Sequence, residues 1–197
     1  MPQVAPLLPH PAELELFGQA LTCEALLPAR FEIGDRPVMQ QQSEAMLHGL
    51  AVAEDSRGED AEDRSELPHS MQRLESKLDL IISLLGKMAR QSAEAIPVRP
   101  LRWSHSGLRL DLAPPSDAKV GDAGVLILQP VAWLNDHIEL PARVLASSLG
   151  SDGTQHLWLR FGTLSAGLQD ALERHLFRLH RRQVADAKQS ALIAGQD

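Results

Sequence analysis

A chain of 197 residues carrying a formal charge of −7, with a pI near 5.6, is long enough for one domain with a sizeable core and too acidic for gripping a nucleic acid backbone as its main task. Its single cysteine, Cys23, can form neither an intramolecular disulfide nor a metal set, which fits a reducing compartment and a small core residue. With aromatics at 4% and no tyrosine, aliphatic packing must fill the interior.

Residues 1–13 carry four prolines and read as a disordered lead-in. No basic n-region precedes an apolar run there, so no secretory signal is read, and no window holds the roughly 18 consecutive apolar residues of a membrane span. A cytoplasmic protein is expected. Residues 14–33 are β-compatible, with alternation clearest from Ala20 to Ala25, and predict one strand. Met39, Met46, Leu50 and Ala53 then fall at helical spacing on good helix formers, predicting a short helix over about 39–53. The following EDSRGEDAEDRSE sets seven acids against two arginines and reads as a solvated connector.

The clearest periodicity comes next: Leu67, Met71, Leu74, Leu78, Ile81, Leu85 and Met88 are spaced 4, 3, 4, 3, 4, 3, an a/d heptad seam. Ser70 suits the helix start, and Lys87 and Arg90 suit its negative end. Leu80, Ile82 and Leu84 widen the apolar face beyond a two-stranded seam. Burying the seven seam side chains is worth on the order of 10 to 20 kcal/mol before entropy. The 39–53 helix, interrupted by Gly49, is too small to collect that. Self-association through Met71, Leu74, Leu78, Ile81, Leu85 and Met88 as a bundle is therefore expected, a homotetramer being favoured; packing of the wide face on the chain's own sheet is the alternative.

After Pro97 the period becomes two. Strands are predicted at about 99–104, 107–112, 123–130, 137–148 and 154–162, separated by turn residues. With the strand before residue 33 they make about six antiparallel strands, a number and spacing that suit a small barrel. The chain closes on a helix capped by Ser165, with Leu168, Leu172, His175, Leu176 and Leu179 on one face and fraying beyond residue 185.

Eight histidines invite an enzymatic reading, but the residues do not support one. Ser104 and His105 are neighbours in an extended segment, so their side chains point to opposite faces and cannot share a proton. His175 and His180, five apart, miss the spacing that converges on a metal, and no phosphate-binding glycine motif occurs. The chain is expected to be non-catalytic; a hydrolase or transferase stands only as a residual.

The order of elements resembles a known family. A strand, a helical insertion at about 38–92 with its heptad helix, the turn WSHSGLRL, strands ending in LRF and a closing helix with LERHLFRLHRRQ together resemble the PilZ domain, and more narrowly its atypical tetrameric branch, a cyclic di-GMP receptor class. The resemblance covers about residues 14–185. It implies an α+β fold: a six-stranded antiparallel barrel with an inserted long helix, a shorter helix and a C-terminal helix, and oligomerisation by the insertion.

In PilZ domains the dinucleotide is held by an R-x-x-x-R segment and a [DN]-x-S-x-x-G turn. Arg102-Trp103-Ser104-His105-Ser106-Gly107 aligns with the second, keeping Ser104 and Gly107 but placing Arg102 where the acid or amide belongs. The first motif is missing: Arg30 and Arg36 are six apart, Arg99 and Arg102 three apart. A remnant anion site of Arg99, Arg102, Ser104, Gly107 and Arg109, assisted by Arg178, Arg181 and Arg182, stands against arginines that only solvate strand and helix ends. No cofactor is implied, and cyclic di-GMP is the ligand the resemblance offers. The reading is an oligomeric adaptor with weak or no binding of that ligand, acting on other signalling or motility proteins; a genuine receptor using the remaining arginines is its rival.

Overall fold

After residue 97 apolar and polar side chains alternate in most strands and turn one face inward, residues 123–128 being apolar and buried almost throughout, and the strands close on themselves so that no edge is left unpaired. The computed structural model describes residues 10–63, 95–113, 115–134 and 136–194. In chain order these form α1 (Pro11–Phe17), β1 (Cys23–Ile33), α2 (Gln40–Asp63), β2 (Val98–Trp103), β3 (Gly107–Leu112), β4 (Ala123–Leu128), β5 (Ile138–Leu149), β6 (Gln155–Phe161) and α3 (Ala166–Ala194). The barrel runs β1-β2-β3-β6-β5-β4 and closes on β1, every neighbouring pair antiparallel. The six-stranded barrel is as expected, and β2 to β6 begin and end within two residues of their predicted bounds.

Leucines fill the interior. Leu101, Trp103, Leu108, Leu110, Leu126, Leu128, Ile138, Leu140, Leu157 and Leu159 are buried there, and α3 caps one end with Leu168, Leu172, His175 and Leu176. Ser165 caps α3 as expected, its Oγ accepting the Leu168 N–H at 3.2 Å. Cys23 is a buried core thiol, free, and pushed up to about 11 by burial, which leaves it no nucleophilic role.

Three expectations change. The strand read over 14–33 begins only at Cys23, and part of both it and the 1–13 lead-in is helix α1. Pro11 suits a first helical position, the His10 side chain accepts the Ala12 N–H at 3.2 Å, and Gly18 follows the last turn. Leu14 and Leu16 look like strand alternation, but Ala12, Leu16 and Phe17 form the buried stripe while Leu14 stays exposed.

The second change is in α2, which continues through the acidic stretch to Asp63 rather than ending near residue 53. Its buried face is Ser43, Leu47, Leu50 and Glu54; Met39 and Ala53, expected on that face, are exposed. Ser43 holds this helix to β5, its Oγ donating to the Glu139 carbonyl at 3.1 Å and accepting the Glu139 N–H at 2.9 Å. Third, α3 runs to Ala194 instead of fraying after residue 185. The heptad seam from Leu67 to Met88 lies outside the described residues. No described helix is long and apolar enough to cross a membrane.

Candidate functional site

The turn at Ser104–Gly107 reverses the chain between β2 and β3. Trp103 pairs with Leu108, and the Ser104 N–H donates to the Gly107 carbonyl at 2.9 Å. The Ser104 hydroxyl is fully buried: it accepts the Ser106 N–H at 3.1 Å and donates to the Leu16 carbonyl of α1 at 2.8 Å. His105 is exposed, so the two side chains diverge as strand geometry requires. His105 borders an open groove of about 490 Å³ beside Leu176, Phe177 and Arg178, and Ser104 does not reach it.

Gly107 serves close approach. A Cβ there would lie 2.3 Å from the Leu159 carbonyl oxygen and 2.9 Å from a methyl of Leu16, so β3 could not sit against β6 and α1. Gly107→Ala is expected to cost about 1–3 kcal/mol, read from the midpoint of a urea unfolding curve.

Strand alternation separates the expected arginines. Arg102 pairs across the sheet with Arg109 and Glu24, all on the outer face, whereas Arg99 lies opposite the buried Leu27 on the inner face at the barrel rim. Arg99 therefore does not join Arg102, because three is an odd step along a strand. Arg36 forks onto Glu139 at 2.8 and 2.9 Å, and Arg30 lies 2.8 Å from Glu32. Arg178 and Arg182 reach Glu54 of α2 at 3.2 and 2.9 Å, and Arg181 stands over the Phe177 ring. Arg178 and Arg182 thus belong to the packing of α3 on α2, and Arg181 to the exposed side of α3.

What meets Arg102 and Arg109 is the protein's own first helix. Glu13, only 12% exposed, accepts from Arg102 at 3.1 Å, from Arg109 at 2.7 Å and from the Trp158 indole N–H at 3.0 Å. Burial would lower the pKa of Arg109, but hydrogen bonds and charge from Glu13 and Asp111 hold it above its ordinary value. His10 stacks on Trp158 with ring centres 4.4 Å apart, Arg102 lies 5.0 Å from the Phe17 ring centre, and Glu15 pairs with Arg160. The arrangement is a basic, aromatic sheet face occupied by two carboxylates of a short helix. Sequence reasoning missed Glu13, Trp158 and Arg160, although Pro11 and Gly18 bracket α1 with recognisable start and stop residues.

A family model described as "Atypical PilZ domain, cyclic di-GMP receptor" matches residues 47–189, which hold the serine–glycine turn and strands β2 to β6. The chain belongs to the atypical PilZ family. A solved PilZ domain from Xanthomonas campestris, described as tetrameric and self-assembled via an unusual helical bundle, is 45% identical over 88% of this chain and 95% of its own, with a TM-score of 0.76. Also similar are the Bacillus subtilis inhibitor of motility MotI/DgrA (24% identity, 45% of this chain and 43% of its own, TM-score 0.37) and the PilZ domain of YcgR from Escherichia coli with cyclic di-GMP (20%, 47% and 80%, TM-score 0.37). A comparison with curated proteins returns no match. Within this PilZ domain, then, Ser104 and Gly107 are spent on the turn and on seating α1, and Arg102 and Arg109 on Glu13.

Proposed function

We propose that this PilZ protein is a non-catalytic oligomeric adaptor of bacterial cyclic di-GMP signalling in the cytoplasm, with weak or no binding of the dinucleotide itself. One observation carries the reading: Arg102, Arg109 and Ser104 of the remnant motif are engaged by Glu13 and Leu16 of the same chain. A phosphate entering there would have to displace a carboxylate already paired with both arginines. The heptad seam and the tetrameric, helical-bundle relative support assembly through the insertion. Several barrels held in a set geometry would engage signalling or motility proteins with a gain by avidity.

Two measurements test this. Leu78→Asp with Ile81→Asp should reduce the sedimenting mass from the oligomer to one chain, and unchanged mass would remove the basis for assembly. Calorimetry with cyclic di-GMP should show no binding at micromolar concentrations. The receptor reading, favoured by the description of the family model, expects micromolar or tighter binding that is lost when Arg99 and Arg102 are substituted.

A further inference from the structure

The contact between α1 and the barrel has the form of a ligand in a receptor. Helix α1 contributes no strand, and its cluster of Ala12, Leu16, Phe17 and Trp158 is separate from the barrel core, which closes and fills without it. At seven residues, about 10 Å long, α1 is far below the length at which an isolated helix is stable in water, so it persists only by docking.

The docking is specific at both ends. Glu13 is read by Arg102, Arg109 and Trp158, Glu15 by Arg160, Phe17 lies under Arg102, and Leu16 fills the slot over Gly107, its carbonyl meeting Ser104. Three guanidinium groups on one sheet face meet two carboxylates two residues apart, which is charge complementarity of the kind that selects a partner.

We propose that this face is a docking site for an acidic helical segment of a partner protein carrying the pattern Glu-x-Glu-Leu-aromatic, and that α1 is its resident intramolecular competitor. The inference rests on the adaptor reading and names the chemistry of its partner. Tethering gives α1 an effective concentration in the millimolar range, so a partner must present the same groups in a better pre-formed helix, or in several copies, to displace it. Since the face repeats in every copy, a multivalent partner gains most.

The probe is a fluorescent peptide of residues 9–19, PHPAELELFGQ, titrated by anisotropy into the full-length protein. Glu13→Lys in the protein repels α1 from Arg102 and Arg109 while leaving the face intact, and should raise peptide affinity about tenfold or more over the unaltered chain. Glu13→Gln, which keeps the shape of the side chain, should raise it by a smaller factor and serves if the lysine variant does not fold. Adding Arg102→Glu and Arg109→Glu to either variant should abolish binding, as should Glu-to-Lys changes at both acids of the peptide.

Equal affinity for all forms, or none for the Glu13 variants, would overturn the inference. So would uptake of cyclic di-GMP by those variants without uptake of the peptide, which would make the face a nucleotide seat. Sedimentation of the same samples keeps the two readings apart: an assembled protein that ignores the peptide refutes only the docking site, and a single-chain protein that binds it refutes only the assembly.

Discussion

Replacing Arg178 and Arg182 together by methionine is expected to lower the unfolding free energy by about 3 kcal/mol, the scale on which a buried charge stripped of its partners destabilises a fold. The cost falls on Glu54. Its carboxylate is 3% exposed and accepts from Arg178 at 3.2 Å and Arg182 at 2.9 Å, across the joint between α2 and α3. The arginines themselves are 22% and 48% exposed, so removing only the acid leaves two cations that reach water. Glu54→Met alone should therefore cost less than the double arginine change. Converting all three to methionine should return stability to within about 1 kcal/mol of the original, because apolar groups of similar volume often replace a buried ionic set without loss. Urea unfolding at neutral pH checks the series, and a double arginine variant with the midpoint of the unaltered protein would rule the account out.

Acid should weaken the fold through His175. Its ring is fully buried beside Trp103, with centres 5.7 Å apart, and among the described residues neither ring nitrogen makes a hydrogen bond of normal geometry. Burial pulls its pKa down from 6.5 to about 4; Glu54 and the nearby Pro130 carbonyl oppose the shift, Arg178 and Arg182 add to it. The folded protein thus keeps the ring neutral where the unfolded chain would protonate it. This contribution is whole above pH 6.5 and is lost as pH falls toward about 4, amounting to about 3 kcal/mol. Carboxylates such as Glu139, held low by Arg36, also lose stability in acid, so the informative quantity is a difference. His175→Leu, of similar volume and without charge, should show a shallower decline between pH 7 and 4.5, by about 2–3 kcal/mol. Parallel declines in the two proteins would exclude His175 as the source.

The barrel was legible because strand alternation and short apolar runs are local signals. Val125–Leu128 and Leu157–Leu159 announce buried strand segments wherever they lie, and turn residues separate them. Local signals also misled. Leu14 and Leu16 alternate, yet seven residues are too few to tell period two from a short helix when Ala12, Leu16 and Phe17 fit the latter equally well. In the acidic stretch, charge density suggested a solvated connector, but Glu54 finds its counter-charges 124 and 128 residues away on α3. The separation of Arg99 from Arg102 was readable in principle, since an odd step on a strand changes face.

The expectation of a ligand motif with Arg102 where an acid or amide belongs came from the resemblance to PilZ domains; from the residues alone come the strand positions and the capped C-terminal helix. Each of these depends on neighbours within a few positions, and so survives without knowledge of the fold. The tertiary structure decided what the surviving groups do: Glu13 sits on Arg102 and Arg109, Ser104 on Leu16, and Glu54 on Arg178 and Arg182. These pairings join residues 88 to 128 positions apart. Sheet register and helix docking bring them together, and no periodicity in the chain encodes which charge will face which.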